Sequence, residues 1–227
     1  MQGKIGTTGS FHLIDNGQSI MENEEESSAR GVQSGRHCRF STINYQLKSM
    51  ACYIAFLRGI GGARTLPVKP AIAALREIGL KDVRSYIATG NFVFTSRKKA
   101  PQLAKAIESC IEATFGFFSK TFVLTAEELQ SAIRANPFPQ ANQNHKSLHL
   151  FFLSEPAPNA DLEQMARIKN PSEQFVLKKR VFYFYAPDGF GNSKLAARVE
   201  KLLGVAATAR NWRTVNEVLK IAQESRP

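Results

Sequence analysis

Apolar positions fall into regular periods only after residue 50. Residues 52–58 (CYIAFLR) are a near-continuous apolar run of strand length, followed by a glycine-rich stretch over residues 59–66. Behind Pro67, apolar Val68, Ala71, Ile72, Leu75 and Ile78 recur at i, i+3, i+4 spacing and predict a helix that stops at Gly79. Residues 83–88 and 91–95 read as strands on either side of Thr89-Gly90, a hairpin signal. Leu103, Ile107, Cys110, Ile111 and Thr114 stripe a second helix, broken by Gly116. Residues 121–124 read as a strand. Thr125 with Glu128 forms a capping-box pair opening a third helix to Ala135, and Pro137-Phe138-Pro139 follows as a linker.

The same order then repeats. Residues 148–153 read as a strand, and residues 161–168 as a helix with Leu162, Met165 and Ala166 turned inward. Residues 174–178 and 181–185 make a hairpin around Lys179-Arg180. Leu195, Val199, Leu202 and Leu203 mark a helix ended by Gly204, and residues 206–209 are a short strand. Trp212, Val215, Val218, Leu219 and Ala222 stripe the final helix. Each half is βαββαβ with a trailing helix, the order of the ferredoxin-like split βαβ motif: four antiparallel strands with helices on one face. The expected class is α+β, two ferredoxin-like subdomains over residues 50–136 and 137–227 that bury their trailing helices against each other. Residues 1–49, polar and without a sustained period, are expected to be a disordered extension.

Charge sharpens this division. The chain of 227 residues carries a net +11. Residues 1–49 hold five basic and five acidic residues, so the whole excess lies in the periodic part. An anionic small molecule or nucleic acid is therefore a plausible partner. No apolar run is long enough to span a bilayer and no secretory leader is evident, so a cytoplasmic protein without a membrane partner is expected. Cys38, Cys52 and Cys110 are odd in number and widely spaced, which fits reduced thiols better than a disulfide framework or a zinc site.

Two groups of strings are specific. LRGI-GG (Leu57 to Gly62) and LREIGLKDVRSYIATGNFVF (Leu75 to Phe94) resemble the first-half signature of the domain of unknown function 1697 family. GNSKL (Gly191 to Leu195), LGV (Leu203 to Val205) and TARNWRTV (Thr208 to Val215) resemble its closing signature. The resemblance spans nearly all of residues 52–223 and implies two ferredoxin-like subdomains in a bacterial protein. It implies no activity. Against that family the first glycine-rich loop is two residues shorter, between Ile60 and Gly61, and residues 1–49 have no counterpart.

The candidate chemistry is anion binding. The segment joining the predicted strand at 181–185 to the helix near Leu195 offers Ser193 or Asn192 as a helix cap, with Lys194 beside it. Arg210 and Arg213 flank Trp212 at the start of the last helix. Ser193, Lys194, Arg210 and Arg213 are expected to share one edge, where open amides and side chains could hold a phosphate or carboxylate. A secondary candidate is the first loop, with Arg58, Gly61, Gly62 and Arg64, whose ordinary reading is a glycine turn with solvated arginines. No catalytic residue, metal site or cofactor is called for. His149 alternates with Leu148 and Leu150 and is expected to face outward without a role. Tyr53, Phe56, Phe92 and Phe94 superficially resemble an RNA-stacking platform. Tyr53 and Phe56 fall on opposite strand faces, however, so packing is the expected role. Three functions follow: a binding module for an anionic ligand first, then a nonspecific nucleic-acid or nucleotide binder, then an enzyme acting on a phosphorylated or carboxylated small molecule.

Overall fold

The computed structural model describes residues 50–62 and 64–225; the expected extension over residues 1–49 lies outside them. The first half runs β1 (Ala51–Leu57), α1 (Val68–Glu77), β2 (Lys81–Ser85), β3 (Asn91–Ser96), α2 (Ala100–Phe115), β4 (Thr121–Thr125) and α3 (Ala126–Arg134). The second runs β5 (Leu148–Leu153), α4 (Leu162–Ile168), β6 (Gln174–Lys178), β7 (Val181–Tyr185), α5 (Val199–Leu203), β8 (Ala207–Asn211) and α6 (Trp212–Glu224). Each half forms one antiparallel sheet, ordered β2-β3-β1-β4 and β6-β7-β5-β8. This is the expected pair of ferredoxin-like plaits.

The register makes the central strands of the two halves equivalent position by position. Leu57 stands opposite Thr121, and Leu153 opposite Ala207. The Leu57 N–H donates to Gly90 O at 2.8 Å, and the Leu153 N–H to Arg180 O at 3.0 Å. Phe56 therefore corresponds to Phe152, Gly90 to Arg180, and Leu124 to Arg210.

Apolar residues on both faces of the central strands build a layered core. On β1, Tyr53, Ala55 and Leu57 face Ala71, Leu75, Leu103 and Ile107 of α1 and α2. Ile54 and Phe56 face the other way, into a central core shared with Leu150, Phe152 and Tyr183 of the second sheet and with α3 and α6. The Phe56 and Phe152 rings lie 5.0 Å apart between centroids. Phe151, Phe182 and Phe184 pack outward against Met165, Leu195 and Leu203. Each such side chain contributes about 2–3 kcal/mol when fully buried. The trailing helices pack on each other and each reaches the opposite half. Tyr183 Oη–H donates to Ala132 O of α3 at 2.8 Å, and Cys52 Sγ–H donates to Ala222 O of α6 at 3.6 Å. The sheet face that an RNA-recognition module leaves open is thus the inside of this protein, and Phe56, Phe92 and Phe94 are all buried.

Three local readings are corrected. Helix α4 buries Met165 alone of its predicted stripe, and Leu162 and Ala166 are exposed. Seven residues capped by Asp161 make too short a helix for a full apolar face. Strand β2 ends at Ser85, not Ala88, because Ile87 adopts positive φ; near its start, where Asp82 also has positive φ, the pairing with β3 shifts between Lys81 and Arg84. The helix marked by Leu195 is a 3-10 turn, Ala196–Arg198, running into the five residues of α5.

Candidate functional site: a cleft between the halves

Strand period places Arg210 indoors. It sits opposite Leu150 on β8 and so shares that residue's inward face. Its guanidinium lies over the Phe56 ring, 5.0 Å from the centroid. Nη2–H donates to Leu57 O at 2.7 Å and, more loosely, to Thr89 O and Gly90 O at 3.4 Å each. Nη1–H donates to Thr208 Oγ1 at 2.9 Å and Ala209 O at 2.8 Å, while Nε–H donates to Asn91 Oδ1. All of these acceptors are uncharged. Among the described residues no carboxylate lies within ion-pair distance of Arg210. Burial pulls its pKa down to about 10, so it remains a cation at neutral pH.

Arg210 forms the floor of a cleft of about 340 Å³ lined by both halves. The first half supplies Leu57, Gly59, Ile60, Ile87 and Thr89; the second adds His149, Phe190, Asn211 and Thr214. The first-half wall is an over-determined turn. Gly90 has φ of 74°, and a Cβ there would stand 2.7 Å from Leu57 Cβ. Buried Asn91 donates from Nδ2 to Tyr86 O at 3.1 Å and Thr89 Oγ1 at 2.9 Å. Ile87 at the mouth combines φ of 49° with 51% exposure, a conformation and a position both unusual for a β-branched apolar residue.

His149 corrects an expectation. It does point away from the central core, but the chain after β7 folds over it: Phe190 stacks on the imidazole with centroids 3.8 Å apart. Burial lowers its pKa to about 4, so the ring is neutral at physiological pH, and Nδ1 is buried without a hydrogen-bond partner.

The four-residue anion corner is not assembled as expected. Ser193 is buried and its Oγ accepts from the N–H of Ala196, the first residue of the 3-10 turn, at 2.9 Å. Lys194 is exposed. Arg213 is exposed in an adjoining depression with His145 and Lys146, joined to the cleft by Asn211, which lines both. Arg210 alone reaches the cleft, because strand alternation turns it inward while Arg213 follows the outer face of α6. In the secondary loop, Arg58 pairs with Glu200 of the other half at 2.7 Å. Gly61 and Arg64 spend their amides on each other at 2.9 and 3.2 Å, so those two N–H groups are closed to phosphate. Gly62 is exposed at positive φ in that turn. The shortened loop nevertheless brings Gly59 and Ile60 to the Arg210 cleft, so the two candidate segments meet there. His149, Phe190 and Asn91 were not singled out as site residues. The signal for them is the pair of turns, TGN and DGFGN, that flank the cleft.

Among the described residues no three His, Cys, Asp or Glu side chains are grouped to hold a metal, and no helix is long and apolar enough to cross a membrane. Fold and cleft together define a double α/β plait protein with a half-buried cation where its halves meet. The chain belongs to the family described as protein of unknown function (DUF1697), which matches residues 50–183. A similar solved structure is that of the conserved bacterial protein SP0830 from Streptococcus pneumoniae, with a TM-score of 0.61 at 20% identity. The match covers 77% of this chain and 99% of that one, and it shows the shared fold. No curated protein matches.

Proposed function

We propose that the protein binds a small anionic ligand in the cleft between its halves, drawn there by Arg210. The observation that carries this reading is a half-buried guanidinium held against carbonyl, amide and hydroxyl oxygens, with no carboxylate in ion-pair reach among the described residues. Buried charges are ordinarily offset by a counter-charge. Here the dipoles solvate the cation and its net charge remains directed at the cleft. The 3.4 Å bonds from Nη2 to Thr89 O and Gly90 O are the weakest of the set, so that donor is the one a ligand oxygen can take over. Neutral His149 adds a polar edge without adding charge.

The test uses inorganic phosphate as probe, with chloride at matched ionic strength as control. Phosphate should raise the unfolding free energy saturably above its value in chloride, by about 2.7 kcal/mol at a hundredfold excess over Kd. It should also shift the His149 imidazole resonances. Equal stabilisation by the two salts with an unmoved His149 would overturn the reading.

One observation favours a second reading, a nucleotide or nucleic-acid strand. The depression next to the cleft carries His145, Lys146 and Arg213 with no acidic residue in its lining. A strand running across Asn211 would then bind with log affinity falling linearly in log salt, about −0.7 per single-strand phosphate contacted. Affinity independent of salt would exclude it.

A further inference from the structure

The niche that Arg210 fills in one half is vacant in the other. Register makes Leu124 the counterpart of Arg210, and Phe152 and Leu153 the counterparts of Phe56 and Leu57. Arg210 lies across Phe56 and bonds the Leu57 carbonyl. In the second half the Leu153 carbonyl is served locally: Arg180, at the position of Gly90, donates to it from Nε at 3.2 Å and from Nη2 at 3.0 Å. No long side chain needs to cross from β4, and Leu124 does not. The result is a cleft of about 510 Å³ between β4, α3 and the β6–β7 hairpin.

Its walls are apolar, set by Phe122, Leu124, Phe152, Val181 and Tyr183. Phe122, Phe152 and Tyr183 are otherwise core residues, buried to 5% exposure or less. The hairpin lip carries three consecutive cations, Lys178, Lys179 and Arg180. Lys178 donates to Ala135 O at 3.0 Å and Arg180 to the chain at Leu153 and Ser154, whereas Lys179 is exposed at the turn. On the opposite lip stand Glu127 and Glu128, and the Glu128 carboxylate already accepts from the Thr125 N–H at 2.8 Å. Volume and lining suit a small organic ligand, which such pockets hold by apolar contact with one or two polar groups setting its orientation.

We propose that this second cleft binds an acyl carboxylate, its chain against Phe152, Leu124 and Tyr183 and its carboxylate at the Lys179 lip. The site is separate from the Arg210 cleft and stands or falls independently of it. The experiment is isothermal titration of the full chain with decanoate below its micellar concentration, with decanol as the uncharged comparison. Decanoate should bind at one site per chain and more tightly than decanol. Leu124→Trp, which fills the niche without adding charge, should weaken decanoate at least tenfold, and so should Ser131→Trp, which fills the cleft from its exposed lip. Lys179→Glu should weaken decanoate several-fold and leave decanol unchanged. Circular dichroism and the unfolding midpoint report whether each variant is folded, and either filling variant suffices. Absence of saturable binding overturns the proposal. So does a folded filling variant that binds like the parent chain, or a Lys179→Glu chain that still prefers decanoate as before.

Discussion

Arg210 in the second half donates to the carbonyl of Leu57 in the first at 2.7 Å, so the cation at the candidate site also joins the halves. Arg210→Leu should leave that carbonyl without this donor and strip Asn91 Oδ1 of its partner as well. Unsatisfied buried groups cost about 1–3 kcal/mol each. A loss of about 3 kcal/mol in urea unfolding with an unchanged m-value is expected. A loss below about 1 kcal/mol would mean the bonds are readily replaced by water.

Gly90 is held by close approach as well as by backbone sign. A Cβ there would meet Leu57 Cβ at 2.7 Å and Ile60 Cγ1 at 2.9 Å, whereas one at Gly116, also at φ of 74°, meets nothing within 4 Å. Gly116→Ala should therefore cost about 1 kcal/mol, for the left-handed conformation alone. Gly90→Ala should cost about 2–4 kcal/mol, since overpacking adds to it. Equal costs in denaturant unfolding would remove the packing argument.

His149 should make stability fall with acid. Its folded pKa is about 4, below the ordinary value of 6.5, because burial disfavours the imidazolium. Between pH 6.5 and about 4 the unfolded chain takes up a proton that the folded chain refuses. The contribution is thus complete above pH 6.5 and lost as pH falls toward 4, roughly 3 kcal/mol in all. His149→Phe should flatten that part of the profile relative to the parent, and parallel profiles would refute it.

Tyr183 joins the second sheet to α3 through its hydroxyl, bonded to Ala132 O at 2.8 Å, and burial raises its pKa to about 12. Tyr183→Phe should cost about 1 kcal/mol in unfolding free energy near neutrality. In alkali the parent should lose stability as pH rises from 10, the unfolded value, toward 12, because only the unfolded chain then ionises. The Phe variant should lack that loss, and an identical alkaline profile would place the hydroxyl in solvent.

Helices and strands with strong periods were legible from one chain. The stripe Trp212, Val215, Val218, Leu219 and Ala222 is buried to the last member, and the Thr125–Glu128 capping box forms as read. Failures came where an element is short or bent. Five- and seven-residue helices show too few turns to display a period, and a positive φ at Asp82 or Ile87 leaves no mark in composition.

The order βαββαβ, its duplication and the αL stops at Gly116 and Gly204 were determined by sequence alone, because they depend on contacts and dihedrals within a few residues. Which arginine lies inside was decided by tertiary structure. Arg210 and Arg213 look alike along the chain, yet one lies near the end of a strand on the face turned to the opposite half and the other sits on the exposed side of a helix. His149 followed the same rule: alternation predicted its side of the strand, but only Phe190, 41 positions on, determined that this side is covered. Burial is a property of the neighbours a residue meets after folding, and those neighbours come from parts of the chain that local pattern does not connect.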